Sequence, residues 1–144
     1  MSPALRSHFS DYAAFHATPG NKACHYFAVP LIVFAVFIML AHVPLFAVSG
    51  FVVTAAELAL VAATLYYLTL DAPLGAQMFV VSALLVAAGR QVPFLVGLGL
   101  FVFGWIIQFV GHYVYEKKSP AFYRNLVHLL VGPLWVLAKA TGRA

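Results

Sequence analysis

The stretch from Tyr26 to Val48 reads YFAVPLIVFAVFIMLAHVPLFAV, and it decides the class of fold. His42 is its one strongly polar side chain, and a helix of roughly 20 apolar residues crosses the hydrocarbon core of a bilayer. The whole chain has the same character: 64% of its 144 residues are hydrophobic, 8% are charged, and the mean hydropathy is +0.97. A soluble chain of this length cannot bury so much apolar surface. The sequence therefore predicts an integral membrane protein.

Three more apolar runs follow the first one. The breaks between consecutive runs are two or three residues long, which leaves room only for tight turns. The predicted fold is therefore all-α, a single membrane domain over residues 1–144 with about four transmembrane helices. We place these spans at residues 26–48, 51–70, 74–89 and 92–115.

The two ends of the chain are more mixed in polarity than the spans. Residues 2–22 end in Pro19-Gly20-Asn21, which is typical of a turn, and this segment is predicted to lie on the membrane surface as a helix. Near the other end, the apolar segment 122–138 is interrupted by Gly132-Pro133 and bordered by basic residues. We interpret it as an interfacial or half-inserted helix, while a fifth span remains an alternative.

The basic residues predict the orientation in the membrane. In a four-span arrangement Arg90 lies alone on one side. The residues on the other side are Arg6, Lys22, Lys117, Lys118, Arg124, Lys139 and Arg143. This bias places both termini in the cytoplasm, with the chain in the inner membrane of a bacterium or the endoplasmic reticulum of a eukaryote. It also accounts for the net charge of +4, so we predict no nucleic-acid partner.

Four of the six histidines converge on one side of the predicted bundle. His16 and His25 precede or open the first span, His112 closes the fourth span, and His128 follows in the C-terminal helix. A neutral imidazole is the commonest protein ligand of iron, zinc and copper. We therefore predict a metal site on the cytoplasmic side. An interfacial histidine that only forms hydrogen bonds is the simpler alternative for each one taken alone.

Two further acidic residues lie near histidines in this arrangement. Glu116 follows His112 by one helical turn, so it can ligate a metal or orient an imidazole by accepting its hydrogen bond. His42 and Glu57 stand at similar distances on either side of Ser49-Gly50, and we expect them to pair, with Arg90 nearby. His42 is roughly 25 Å from His25 along a helix, which excludes it from the metal site.

The ends of the chain carry the motifs of a known family. One pattern consists of Tyr12, His16, Asn21, His25 and Pro30. The other is the string GHYVYEKKSPA at residues 111–121, followed by Asn125-Leu126. Together they resemble the membrane-bound 2-hydroxy fatty acid dioxygenase family. The resemblance implies an Fe(II)-dependent enzyme of fatty acid α-oxidation, including phytosphingosine breakdown, that uses O2 to shorten a long-chain 2-hydroxy fatty acid by one carbon.

The resemblance also implies roles for individual residues. The implied iron ligands are His16, His25, His112 and His128. Asn21 and Glu116 are then the candidate catalytic residues. The candidates for the carboxylate end of the substrate are Lys117, Lys118, Arg124 and Asn125. The alkyl tail of the substrate would remain among the apolar helices, in contact with membrane lipids.

Two other functions fit the same residues. Paired imidazoles from facing helices also hold haem, so a membrane electron carrier is the first alternative. The second is a non-enzymatic lipid-binding or scaffold protein whose histidines form interfacial hydrogen bonds. The sequence leaves the oligomeric state open.

Overall fold

A computed structural model describes all 144 residues as an α-helical bundle with one small β-hairpin. The α-helices are α1 (Pro3–Ala14), α2 (Pro19–Ala41), α3 (Ala55–Leu70), α4 (Ala72–Gly89), α5 (Phe94–Phe109) and α6 (His128–Ala140). The hairpin consists of β1 (Pro44–Val48) and β2 (Phe51–Thr54). Helix α5 continues without a break as a π-helix, Val110–Glu116, and a single 3-10 turn, Ala121–Tyr123, precedes α6.

Polar side chains at the borders of the apolar runs begin four of these helices. The side chains of Ser2, Thr18 and Asp71 accept hydrogen bonds from backbone N–H groups in the first turns of α1, α2 and α4. Thr54 begins α3 in a capping box with Glu57. Each cap satisfies a backbone donor that the helix itself leaves free. The few polar residues between apolar runs therefore fix where the helices start.

The predicted all-α membrane bundle is confirmed, with the hairpin as an addition. Three helices are long and apolar enough to cross a membrane: Pro19–Ala41, Ala72–Gly89 and Phe94–Glu116. Helix α3, in the predicted second span, has 16 residues, which amounts to roughly 24 Å. Helix α2 packs mainly against α5, and α3 packs mainly against α4.

The prediction was wrong where the first two spans meet. Residues 44–48 and 51–54 were assigned to transmembrane helices, but they pair as an antiparallel hairpin. Pro44 cannot continue α2 because its ring clashes with the preceding turn and it lacks an N–H. Ser49 and Gly50 then both take positive φ, at 49° and 82°, which a two-residue hairpin turn requires. We call this end of the bundle the hairpin end, and the opposite end the site end.

Two boundaries at the site end also differ from the prediction. Pro19-Gly20-Asn21, read as a turn, forms the first turn of α2, with Pro19 following the cap Thr18. Proline suits this position because its missing N–H would have no partner there. The C-terminal helix begins at His128, not near residue 122, and carries Pro133 inside it.

Helices α1 and α6 pack across the site end of the bundle. Their apolar faces meet the ends of α3 and α4 in a common core. Its buried members are Leu5, Phe9, Tyr12, Tyr67, Leu70, Leu74, Met78, Val131, Leu134, Trp135 and Ala138. This packing brings the end of α1 and the start of α6 beside the start of α2 and the π-helix, where the histidines lie.

Candidate metal centre

Three histidines from three segments meet at the site end. His16 lies in the link between α1 and α2, His25 lies in α2, and His112 lies in the π-helix. One ligand atom from each ring lies within 4.8 Å of the others, and the side chains are 1–2% exposed. We call these residues the three-histidine cluster. Histidines that are far apart in the sequence thus converge, as their predicted positions at helix ends indicated.

Backbone carbonyls orient two of the rings. The Nδ1 atom of His16 lies 2.6 Å from the carbonyl oxygen of Tyr12, and the Nδ1 atom of His25 lies 2.9 Å from that of Asn21. A carbonyl oxygen only accepts, so Nδ1 carries the proton of each neutral ring. The Nε2 atoms, 3.0 Å apart, therefore present lone pairs toward each other.

This arrangement fits a bound cation. Two lone pairs at this distance repel unless a positive charge lies beside them. Ligand nitrogens that bind one ion at about 2.0–2.1 Å lie roughly 3 Å apart when the angle at the ion is near 90°. The Nδ1 atom of His112 is buried and has no hydrogen-bond partner. The cluster thus offers three nitrogen ligands, two of which are oriented by backbone carbonyls before a metal binds.

Burial keeps the His16 ring uncharged at neutral pH. Desolvation of the ring lowers the pKa of His16 to about 4, against the smaller opposing effect of the hydrogen bond to Tyr12. A metal ion therefore does not compete with a proton for this nitrogen at pH 7.

A glycine permits the close approach of the π-helix to α2. A Cβ atom on Gly111 would lie 2.5 Å from Oδ1 of Asn21 and 3.0 Å from Cβ of Cys24, so no larger residue fits there without a shift. The π-helix adds a residue to the turn after α5, and it contains both His112 and Glu116. Short π-helical segments of this kind are frequent at functional sites.

Glu116 ties the π-helix to the link that carries His16. Its Oε1 accepts the backbone N–H of Ala17 at 3.1 Å. Its Oε2 accepts the backbone N–H of Thr18 at 3.0 Å, the Thr18 hydroxyl at 2.8 Å and the Asn21 amide at 3.2 Å. The predicted hydrogen bond from an imidazole to Glu116 is absent, because these four donors from the link and α2 occupy the carboxylate. Asn21 also donates to the carbonyl of Phe15.

His128 lies beside the three-histidine cluster without joining it. Its Nε2 atom is 2.8 Å from a carboxylate oxygen of Asp11 in α1, and its Nδ1 atom is buried without a partner. The ring lies 5.9 Å from that of Tyr12. The structure thus places three of the four predicted ligands together and pairs the fourth with a carboxylate.

All four histidines line one cavity of about 70 Å³, which we call the histidine cavity. Its other walls are Tyr12, Val29, Ile32, Val33, Trp105, Gln108, Ala121, Phe122, Leu129, Gly132 and Pro133. Tyr12 and Trp105 are site residues that were not predicted from the sequence. Tyr12 stacks on His16, with ring centroids 4.0 Å apart, and burial raises its pKa. Its spacing of four residues before His16 was an available signal, whereas nothing in the sequence distinguished Trp105.

The predicted substrate-binding residues lie outside this cavity. Lys118 and Arg124 line a separate depression on the surface, beside Phe15. The Asn125 side chain accepts a hydrogen bond from the start of α6, and Lys117 is exposed in a left-handed conformation. Among polar side chains, Gln108 and Trp105 lie closer to the histidines, since both line the cavity.

The predicted pair of His42 and Glu57 does not form at the hairpin end. The ring of His42 bonds instead to the carbonyl of Ile38 at 2.9 Å. Glu57 is 2.6 Å from the guanidinium of Arg90, the residue expected nearby, and completes the capping box with Thr54. His42 and Glu57 therefore bind groups at the ends of helices and do not form a second metal site.

The fold and the cluster define a class of protein: a helical integral membrane protein with a buried site of three histidines. Comparison with known proteins identifies a family within this class. A family model described as "Mpo1-like: 2-hydroxy-palmitic acid dioxygenase Mpo1-like" matches residues 3–144, and the chain belongs to this family. It is 35% identical over 127 residues to "2-hydroxy-palmitic acid dioxygenase MPO1" of Saccharomyces cerevisiae, covering 88% of this chain and 73% of the yeast protein. No solved structure matches the chain.

Proposed function

We propose that this protein is an Fe(II)-dependent dioxygenase that converts a long-chain 2-hydroxy fatty acid to the acid one carbon shorter. The observation that carries the proposal is the pair of Nε2 lone pairs, 3.0 Å apart, inside the histidine cavity. The activity in the name of the yeast relative supports the same reaction. The balanced equation is R–CH(OH)–COOH + O2 → R–COOH + CO2 + H2O. The substrate supplies all the electrons that reduce O2, so no further reductant is needed.

Different residues in and around the cavity have different proposed roles. His16, His25 and His112 would hold the iron, which supplies the O2 chemistry that protein side chains lack. His128, fixed by Asp11, is a fourth nitrogen at the edge of the same cavity. Asn21 and Glu116 hold the link that positions His16. We assign them to positioning of the ligands and not to contact with the substrate.

The size of the cavity suits the reacting end of the substrate. A water molecule needs about 10–15 Å³ of cavity volume, so 70 Å³ accommodates roughly five or six small groups. A carboxylate with its hydroxyl-bearing carbon is about this large. Gln108 and the buried, unpartnered Nε1–H of Trp105 are the polar groups available to bind it. A haem is far larger than this cavity, which disfavours the electron-carrier alternative.

The site end carries both termini and most basic residues. We propose that it faces the cytoplasm, by the bias of lysine and arginine toward that side. In this orientation Lys118 and Arg124 lie on the cytoplasmic surface near the cavity, where positive charge attracts anionic head groups. Their proposed role is to concentrate the anionic substrate at the surface, which replaces the direct carboxylate contact expected from the sequence.

Oxygen consumption by the purified protein tests the proposal. The detergent-solubilised protein is loaded anaerobically with Fe(II), mixed with a long-chain 2-hydroxy acid and exposed to O2. We expect one O2 consumed and one CO2 released for each shortened acid, identified by mass. The His112→Ala variant should lose both metal and activity, whereas His42→Ala, at the hairpin end, should keep both. Normal activity in His112→Ala contradicts the proposal, and metal binding without any turnover contradicts the assigned substrate.

A further inference from the structure

The histidine cavity is too small to hold the alkyl tail of a long substrate. Its 70 Å³ accommodates the reacting end only, by the volumes compared above. If the proposed function holds, the remaining methylenes must leave the cavity through an apolar opening, because polar surroundings would disfavour them.

A second cavity lies next to the histidine cavity. It lies between α2, α4 and α6, has a volume of about 220 Å³ and is lined almost wholly by apolar side chains. Val29, Val33 and Pro133 line both cavities. These shared walls place the second cavity, which we call the tail groove, directly beside the histidine cavity, separated from it by no more than these three side chains.

Proline residues inside two helices line the tail groove. Pro30 lies within α2 and Pro133 lies within α6. A proline in a helix interior removes a backbone hydrogen bond and bends the helix, which limits how closely α2 and α6 pack here. Met78 and Leu85 of α4 form the facing wall. They are seven positions apart, so this wall extends roughly 10 Å along the helix.

We infer that the tail groove binds the alkyl tail of the 2-hydroxy acid, and that Val81 helps to set the accepted chain length. Val81 lines the groove between Met78 and Leu85 and is 40% exposed. A tail can thus enter sideways from the surrounding lipid. Because lipid already surrounds that tail, the groove selects chains by how well they pack and not by removing them from water.

The substitution Val81→Trp tests this assignment, with Val80→Trp as its control. Val80 is 56% exposed and does not line the groove, so both variants place the same bulk on an exposed face of α4. An indole that fills the groove should lower kcat/KM for a 2-hydroxy acid of about 16 carbons by roughly tenfold or more. An acid of about six carbons, whose tail is too short to extend far along the groove, should react as before. Val80→Trp should keep the wild-type profile.

Photolabelling gives a measurement that does not depend on turnover. A long-chain 2-hydroxy acid with a diazirine midway along its tail should label Met78, Val81 or Leu85 in the wild type. Labelling should fall in Val81→Trp but not in Val80→Trp. Labelling that a long-chain 2-hydroxy acid cannot displace, or that a phospholipid displaces equally well, would show a lipid site and overturn the inference.

The two proposals fail in different ways. If the wild type turns over but Val81→Trp keeps the wild-type chain-length profile and label, the tail groove is wrong and the enzyme assignment stands. If no acid is turned over, but the long-chain 2-hydroxy acid displaces the groove label specifically, the binding site stands and the reaction is wrong.

Discussion

Replacing Glu116 with glutamine should weaken metal binding although Glu116 forms no hydrogen bond with a histidine. Oε2 accepts three hydrogen bonds and Oε1 accepts one, from Ala17. The amide of glutamine would orient its oxygen toward the three donors and leave the Ala17 N–H facing an NH2 group. One lost acceptor costs about 1–3 kcal/mol, and the other bonds lose the strengthening by charge. We expect a total of roughly 2–3 kcal/mol.

The lost hydrogen bonds should disturb the geometry of the three-histidine cluster. Ala17 directly follows His16, and Glu116 lies in the same π-helix as His112, so the broken contact joins two ligand-bearing segments. Outer partners of metal ligands typically contribute 10–100-fold to metal affinity. We expect the Fe(II) dissociation constant of Glu116→Gln to rise by a factor in that range, measured anaerobically against a chromophoric chelator, with the thermal unfolding temperature recorded in parallel.

Glu57→Gln is the matched control. Glu57 is also a partly buried carboxylate that accepts hydrogen bonds from a threonine N–H, a threonine hydroxyl and a further side chain, but it lies at the hairpin end. Its substitution should lower the unfolding temperature and leave the dissociation constant unchanged. If the two variants lose stability alike and both keep the wild-type affinity, Glu116 only stabilises the fold and does not position His16 for metal binding.

Three other substitutions separate helix packing, the role of His128 and substrate binding. Gly111→Ala places a Cβ atom 2.5 Å from an amide oxygen and should destabilise the detergent-solubilised protein by about 1–3 kcal/mol in thermal unfolding, whereas Gly99→Ala, with no atom within 4 Å, should be neutral or stabilising. Asp11→Asn removes the charged partner of His128; we expect kcat to fall with little change in unfolding temperature, and an unchanged kcat would place His128 outside the reaction. Trp105→Phe keeps an aromatic ring but removes the N–H together with the five-membered ring that carries it, so KM for the 2-hydroxy acid should rise by about tenfold. An unchanged KM would show that the indole N–H does not contact the substrate.

The convergence of the histidines could be predicted because it depends only on the lengths of apolar runs. An even number of crossings returns the chain to its starting side, so His16, His25 and His112 had to lie at one level of the bundle. The number of crossings can be read from the hydropathy of the sequence. The partner of each imidazole could not be predicted, because the carbonyls of Tyr12 and Asn21 belong to backbone whose position depends on the complete packing.

Other expectations failed where short-range geometry overrides hydropathy. Residues 44–54 are as apolar as a span, yet Pro44 and the positive φ angles at Ser49 and Gly50 form a hairpin. With the turn displaced from the helix ends, Glu57 caps α3 and pairs with Arg90 instead of His42. At the site end, the segment between the π-helix and α6 contains only one short 3-10 turn, and its basic side chains are exposed. No periodic pattern in the sequence predicts this arrangement.

The hydrogen bonds between Glu116 and the link at Ala17 and Thr18 join positions 98 and 99 residues apart. During synthesis the first two histidines leave the ribosome long before the third one. A nascent chain that has inserted α2 to α4 therefore contains His16 and His25 and the backbone donors at Ala17 and Thr18. It still lacks His112 and Glu116. For the proposed iron enzyme, this order of synthesis would delay metal capture until the last long helix has entered the bilayer. An incomplete chain of the proposed enzyme would thus lack the third ligand while it lies among unsaturated lipids.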